Sequence, residues 1–177
     1  ARSNEMDAEA LFALLNRYFE AIAAPVLAEQ GLLDKFIGDA LMAEFGVPVH
    51  RGDREEALAA VRAALAMQAN LDQLNRSLEQ EGLEPLRQGV GIHCGEVIAG
   101  NLGSRDRLEY TVIGAAVNLA SRLESLTRQF PDHPILISGE VRDLISDLVV
   151  VEDLGSHSVK GWPEPISVYG LVALHSN

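Results

Sequence analysis

The chain has 177 residues, which suits one domain with a substantial hydrophobic core. A formal net charge of −12 argues against DNA or RNA as the main partner, because binding a polyanion needs a basic surface. Any phosphate must therefore be held locally. No signal peptide and no run of about 18 consecutive apolar residues is visible. The single cysteine, Cys94, cannot form an internal disulfide and is interpreted as a small core residue.

The first elements are predicted to be a helix and a hairpin. Apolar residues at helical spacing predict a helix from Asp7 to about Val26. Two strands, Leu32–Ile37 and Ala40–Phe45, are predicted to be joined by a tight turn at Gly38 and Asp39. This arrangement places the Asp39 carboxylate at a hairpin tip, where aspartate is usually just a good turn former.

A long helix and a glycine-rich stretch follow. The helix is predicted to start at Asp53, with Glu56 completing a capping box, and to end near Leu78. The stretch from Gln88 to Gly103 is not interpreted as a dinucleotide-binding loop, because that fingerprint must open a helix. Residues on both sides of Gly95-Glu96 alternate as in a second hairpin. His93 is a lone histidine in an apolar, strand-like run and is interpreted as a packed or hydrogen-bonded residue rather than a metal ligand.

The next unit is a strand, Leu108–Ile113, followed by Gly114 and a helix from Ala115 to Leu126. Apolar side chains occupy one face of this helix, and Asn118 and Arg122 lie one turn apart on the other face. Most such polar pairs belong to a solvated face. Here the small residues that open the helix favour close approach of a ligand or partner to the backbone.

The C-terminal part is predicted to contain a strand at 134–137, a helix from Ser138 to Leu144 and closing strands at 148–151 and 166–171. Lys160 lies in a glycine-containing loop, where a lysine is usually only solvated. Of the 14 basic residues, however, only Lys35 and Lys160 are lysines. A chain that otherwise uses arginine thus carries the compact ammonium group of lysine at only these two positions.

Three segments together resemble a known family. The run from Tyr110 to Arg122 resembles the signature of the class III nucleotidyl cyclase catalytic domain, the family of adenylyl and guanylyl cyclases. Asp34–Asp39 and Val159–Gly161 resemble two further motifs in the right order. The resemblance covers nearly all of residues 1–177 as a single domain. It implies an α+β sandwich with a ferredoxin-like βαββαβ palm.

The resemblance implies that the protein is an adenylyl cyclase. The ribose 3′-hydroxyl of ATP would attack its own α-phosphate, giving 3′,5′-cyclic AMP and pyrophosphate, with two Mg²⁺ or Mn²⁺ ions per site. Asp39 would be one of two metal-binding aspartates. The second belongs to a first strand of the form Phe-x-Asp-Ile-x-x-Phe-Thr, which is expected upstream of residue 1, as is a regulatory domain of a longer protein.

The resemblance also assigns the substrate contacts. Asn118 would hold the ribose, Arg122 would stabilise charge on the phosphates and Lys160 would bind the triphosphate. Lys35 and Thr111 would contact adenine, Lys35 by donating to N1 and Thr111 by accepting from the amino group. This pair predicts ATP over GTP.

Threonine at position 111, where most members have aspartate, marks a subclass whose members often respond to bicarbonate. The family works as a head-to-tail homodimer, so Lys35 and Asp39 would serve opposite sites. We expect a cytoplasmic catalytic domain, with membrane tethering left open.

Two other functions remain open at this point. A catalytically inactive cyclase-like module could bind nucleotide or only dimerise to regulate a partner, and a guanylyl cyclase would share the same fold. A diguanylate cyclase on a similar palm is disfavoured, because no Gly-Gly-Asp/Glu-Glu-Phe signature occurs.

Overall fold

The computed structural model describes residues 7–175 as helices packed on antiparallel and mixed β-sheet. The helices are α1 (Ala8–Ala28), α2 (Asp53–Gln80), α3 (Ala115–Leu126) and α4 (Gly139–Ile145). The strands are β1 (Leu32–Ile37), β2 (Ala40–Glu44), β3 (Val90–Ile92), β4 (Ile98–Ser104), β5 (Arg107–Ile113), β6 (Ile135–Ser138), β7 (Val149–His157) and β8 (Ile166–Leu174).

The main sheet has the strand order β3-β6-β8-β7. Strand β3 runs parallel to β6, whereas β8 is antiparallel to both β6 and β7. Strands β1 and β2 form one separate hairpin, and β4 and β5 form another.

The main sheet is buried on both faces, and β6 shows this alternation residue by residue. Ile135 and Ile137 belong to a core that also contains residues of α2 and α4. Leu136 belongs to a second core with Leu119 and Leu123 of α3. Because successive side chains of a strand point to opposite faces, helix α3 is held on one side of the sheet and α2 and α4 on the other.

Helix α3 lies unusually close to strand β3 because Gly91 has no side chain. A Cβ atom at Gly91 would lie 2.3 Å from both the carbonyl oxygen of Ala120 and the amide nitrogen of Glu124. Both of these are backbone atoms of α3, so neither can move aside by a change of rotamer. Glycine at this position therefore sets the distance between α3 and the sheet.

Helix α1 packs against α2 and supports the first hairpin. Its Ile22 and Val26 are buried, and the ring of Phe19 lies 4.4 Å from that of Phe36 on β1. The guanidinium of Arg17 binds both carboxylate oxygens of Glu81, just after the end of α2. Among the helices described, α1 alone is long and apolar enough to cross a membrane by length and composition.

The predicted order of helices and the first hairpin are confirmed. Gly38 has φ +63°, and Ile37 pairs with Ala40, so Gly38 and Asp39 form the two-residue turn. The predicted second hairpin around Gly95-Glu96 is wrong. Strand β3 pairs in parallel with β6, and the hairpin forms instead between β4 and β5, which turn at residues 105–106. Local alternation predicts strands but cannot choose their partners.

The predicted capping box is also wrong. Helix α2 follows Gly52 and has no side-chain cap. Glu56 instead accepts hydrogen bonds from the backbone amide and the guanidinium of Arg51, and so ties the preceding loop to the first turn of the helix.

We predict that Gly91→Ala lowers the free energy of unfolding by about 2 kcal/mol or more, because the added methyl group must push the backbone of α3 away from β3. Gly100→Ala on β4 is the control, since a Cβ there meets no atom within 4 Å. Chemical denaturation of both variants tests this. An equal, small effect of the two substitutions would contradict the close-packing explanation.

Candidate functional site

A β-bulge in β1 brings two consecutive polar side chains to the same place. The pairing of β1 with β2 shifts between Leu33 and Lys35, so Asp34 is the extra residue of the bulge. Such an irregularity breaks the usual alternation of side chains across a strand. Asp34 and Lys35 both reach Thr111 on β5, although 76 residues separate Lys35 from Thr111.

These three side chains form one hydrogen-bonded cluster, here called the Asp34 cluster. The Lys35 ammonium donates to Oγ1 of Thr111 at 3.2 Å, and that hydroxyl donates to Oδ2 of Asp34 at 2.5 Å. Nζ of Lys35 also lies 3.0 Å from Oδ1 of Asp34, an ion-pair distance without hydrogen-bond alignment. The predicted pairing of Lys35 with Thr111 in one site agrees with this geometry.

The Asp34 carboxylate is ionised despite its burial. Its side chain is 1% exposed. Burial by itself would raise the pKa of Asp34, but the hydrogen bond from Thr111 and the close ammonium of Lys35 outweigh burial and hold the pKa below its usual value. Lys35 gains from the same contact, since the adjacent Asp34 carboxylate raises the pKa of the ammonium.

Glu44 on β2 is a second buried carboxyl group beside this cluster. Burial raises the pKa of Glu44 to about 8, and a loose contact with Asp34 and the charge of that carboxylate act in the same direction. Neither carboxyl oxygen of Glu44 has a hydrogen bond of standard geometry. Glu44 is therefore protonated at neutral pH, and the two carboxyl groups together carry one negative charge.

Asn118 and Arg122 lie where the sequence predicted, on the exposed face of α3. The opposite face buries Ala116, Leu119 and Leu123. Packing within the chain accounts for Gly114, and the expected approach of a ligand or partner near Ala115 and Ala116 stays a prediction. A Cβ at Gly114 would lie 2.9 Å from the carbonyl oxygen of Glu96, so the chain's own segment before β4 makes the close approach there.

A groove of about 1820 Å³ separates the first hairpin from the main sheet. It is lined by α1, α2, β2, β3 and the start of α3, and both Asp39 and Asn118 lie on its wall. Strand β2 pairs only with β1, and β3 pairs only with β6, among the strands described. Each of these strands therefore has one edge without a neighbour, and residues of both line the groove.

The remaining predicted residues stay apart from the Asp34 cluster. Lys160 is exposed in a turn whose neighbours Val159 and Trp162 pack against the core that contains α3. Within residues 7–175, no hydrogen bond or ion pair joins Asp39, Asn118, Arg122 or Lys160 to the cluster. A single chain therefore does not join all of the predicted residues into one site, and each group of them is a partial site.

Asp39 fits a magnesium site in part. No group of three or more His, Cys, Asp or Glu residues suited to a metal occurs in the described part of the chain. Mg²⁺ is, however, commonly bound by only one or two carboxylates together with substrate phosphates and water. The exposed carboxylate of Asp39 at the turn is suited to that arrangement.

Two other polar residues behave as simple packing residues. Nδ1 of His93 lies 2.9 Å from Oγ of Ser138, and burial lowers the pKa of the imidazole. The predicted hydrogen-bonded role of His93 is therefore confirmed. Cys94 packs against the core beside α2 and α4, and burial raises the pKa of its thiol, as expected for a packing residue.

Sequence reasoning missed Asp34 and Glu44. In the sequence Asp34 is only part of a motif, and in a regular strand Asp34 and Lys35 would point to opposite faces. The bulge that brings them together has no sequence signal that we can identify. Glu44 is an acidic residue at a strand end, where exposure is the usual outcome.

We predict that Glu44→Gln stabilises the protein by about 1 to 3 kcal/mol at pH 8. Between the ordinary pKa of 4.5 and about 8, the unfolded chain ionises Glu44 while the folded chain keeps it protonated, so Glu44 lowers stability as the pH rises through this window. Glutamine has nearly the same shape and no such penalty.

The measurement is chemical denaturation of wild type and Glu44→Gln at pH 5 and pH 8. The gain should be clearly smaller at pH 5, and Glu109→Gln, which alters an exposed carboxylate, should show no comparable pH dependence. A gain that is equal at the two pH values would show that Glu44 is not held protonated.

Comparisons with known proteins agree over nearly the whole chain. A family model described as the adenylate and guanylate cyclase catalytic domain matches residues 1–173. Adenylate cyclase 1 of Rhizobium meliloti is 34% identical over 166 residues, which are 94% of this chain and 24% of that protein. The chain thus spans about a quarter of the length of this curated relative.

Solved structures are similar in the same way. The adenylyl cyclase CyaB from P. aeruginosa has a TM-score of 0.89 and 38% identity, covering 97% of this chain and 86% of that chain. The guanylyl cyclase Cya2 has a TM-score of 0.87 and 32% identity, covering 98% and 85%. The predicted α+β palm is confirmed by these matches.

Proposed function

The chain belongs to the adenylate and guanylate cyclase catalytic domain family, and from this premise we propose that it is an adenylyl cyclase that converts ATP to 3′,5′-cyclic AMP and pyrophosphate. The observation that carries the proposal is the contact of Lys35 with Thr111 at 3.2 Å. The two side chains present an ammonium donor beside a hydroxyl oxygen, which complements N1 and the amino group of adenine.

The other residues act on the ribose and phosphates. Asn118 holds the ribose, so that the 3′-hydroxyl is directed at the α-phosphate. Arg122, one helical turn away, donates to the phosphate oxygens on which charge develops, and Lys160 binds the outer phosphates as a point charge. These cations provide a local positive site in a chain whose net charge is −12.

Asp39 would hold the divalent cations in this proposal. When bound, two Mg²⁺ or Mn²⁺ ions would favour ionisation of the 3′-hydroxyl and neutralise charge on the leaving pyrophosphate. The second carboxylate would come from an extended segment of the same protein that adds to the free edges of β2 and β3. The groove between those strands supports this, because each edge offers unpaired backbone groups to a new strand.

A homodimer brings the partial sites together. Supporting this, the β4–β5 hairpin exposes large apolar side chains, namely Ile98, Leu102, Leu108, Tyr110 and Ile113. By the register of the hairpin, Ile98, Leu102 and Ile113 lie on one face, and Leu108 and Tyr110 lie on the other. Exposed apolar side chains grouped on one face are typical of a protein interface. A head-to-tail pair would place Asp39 of one protomer opposite Asn118 and Arg122 of its partner, giving two equivalent sites.

A guanylyl cyclase is the second candidate, and the similarity to Cya2 favours it. Guanine has an acceptor at position 6 and a donor at N1, so the Lys35 and Thr111 pair would meet it donor to donor and acceptor to acceptor. A single measurement of the preference for ATP or GTP therefore distinguishes the two candidate functions.

We expect the full-length protein to form cyclic AMP from ATP with Mg²⁺ or Mn²⁺ and to prefer ATP over GTP at least about 100-fold in kcat/KM, because mispaired polar groups are costly in a buried site. Product analysis by chromatography with each nucleotide tests this. Comparable turnover of the two nucleotides would refute the assignment, and absence of any cyclisation would favour an inactive regulatory module.

We expect Asp39→Ala and Arg122→Ala each to lower kcat at least about 100-fold, and an equal mixture of the two proteins to recover about a quarter of wild-type activity. After random exchange, half of all dimers are heterodimers of the two variants, and each heterodimer has one complete site out of two. Activity is measured after the subunits have exchanged.

The matched control is a mixture of Asp39→Ala with an Asp39→Ala, Arg122→Ala double variant, which has no complete site and should stay inactive. If the first mixture is no more active than this control, the sites are not shared between protomers.

A further inference from the structure

We infer that Asp34 is a positioning residue that determines the choice of adenine. It accepts the hydrogen bond that the Thr111 hydroxyl donates, and so leaves that hydroxyl able only to accept from a ligand. The inference rests on the proposed nucleotide site and deepens it. Asp34 cannot itself reach a ligand, because its side chain is 1% exposed.

A threonine hydroxyl has one proton and two lone pairs, and its proton can rotate between partners. In this structure the proton of Thr111 is directed to Oδ2 of Asp34 at 2.5 Å. One lone pair accepts from Lys35 at 3.2 Å. Only the second lone pair remains, so towards any further group the hydroxyl is an acceptor.

The alternative hydrogen-bonding pattern is costly. If Thr111 turned its proton to a ligand, Oδ2 of a buried carboxylate would lose its hydrogen bond from the hydroxyl. The Asp34 carboxylate is charged, and its pKa is held low in part by this same hydrogen bond. Leaving a buried charged acceptor without a partner is among the more expensive changes in a protein.

Asp34 also limits the orientation of Lys35. Nζ of Lys35 lies 3.0 Å from Oδ1 of Asp34 and donates to Thr111. One N–H of the ammonium is donated to Thr111 and the ammonium is held beside Asp34, so its remaining donor capacity is directed away from these two partners, with Glu109 at 3.8 Å. Asp34 therefore holds an acceptor and a donor side by side.

Space for a base exists next to this pair. The residue opposite Thr111 in the β4–β5 ladder is Gly100, and a Cβ at that position would meet no atom within 4 Å. Residues paired across a ladder share one face of the hairpin. Thr111 as a whole residue is 5% exposed, and the open space at Gly100 marks the side from which a planar base could reach its hydroxyl without displacing a cross-strand side chain.

The order of polar groups then selects the base. A purine with an amino group at position 6 and an unprotonated N1 matches acceptor and donor, whereas a 6-oxo purine with a protonated N1 opposes both. On this basis Lys35 and Thr111 contact the base, and Asp34 decides what they present to it.

The test compares ATP with purine riboside 5′-triphosphate, which differs from ATP only in lacking the 6-amino group. Binding is measured by competition against a fluorescent ATP analogue on the full-length protein, so the readout does not require turnover. Wild type should prefer ATP, and Asp34→Asn should reduce the ratio of the two affinities about tenfold, because the amide can donate to Thr111 and release the hydroxyl proton.

Two further variants complete the design. Glu109→Gln makes the same acid-to-amide change near Lys35 but does not contact Thr111, and it should leave the ratio unchanged. Asp34→Ser is a smaller polar replacement that should lower the ratio as Asp34→Asn does, and it serves if the asparagine variant fails to fold. Thermal unfolding establishes that each variant is folded.

The outcomes separate this inference from the proposed reaction. A folded Asp34 variant that weakens both nucleotides equally would overturn it, since a merely structural role lowers affinity without changing the ratio. No preference for ATP in wild type would overturn it as well. Loss of cyclase activity with the ratio behaving as expected would refute only the proposed reaction.

Discussion

The burial of one ionised carboxylate, Asp34, is the constraint on which the candidate site depends. It lies on a hairpin that shares no sheet with β5, yet it joins the two through Thr111. A buried charge is tolerable only when it is paired with an opposite charge or a hydrogen-bond partner. The ammonium of Lys35 and the hydroxyl of Thr111 meet that need, and the same need fixes their positions relative to each other.

Protonation divides the charge within this small region. Glu44 is beside Asp34, and two adjacent buried carboxylates could not both stay ionised. The burial of Glu44 raises its pKa to about 8, so Glu44 remains neutral and Asp34 keeps the charge. Of the two buried carboxyl groups, Lys35 thus faces only one that is charged, and its ammonium remains available as a donor.

The candidate site also requires that helix α3 be held in a fixed position against the main sheet. Helix α3 carries Asn118 and Arg122 on its exposed face, and its position follows from the cores and from the glycine at position 91 of β3. Since α3 follows β5 directly, Thr111 and Asn118 are linked by a short and well-packed segment. The residues proposed for base and ribose are therefore held by rigid elements, as a specific site requires.

The sequence by itself determined the elements and the family. Periodicity placed α1, the first hairpin with its Gly38-Asp39 turn, and the exposed face of α3, because these patterns are local. The motifs likewise identified Lys35, Thr111, Asn118, Arg122, Asp39 and Lys160 as candidates. The tertiary structure alone decided that β3 pairs with β6, that a bulge turns Asp34 towards Thr111, and that Glu44 is buried beside it. Strand partners, bulges and burial depend on contacts between residues far apart in the chain, and no local pattern encodes those contacts.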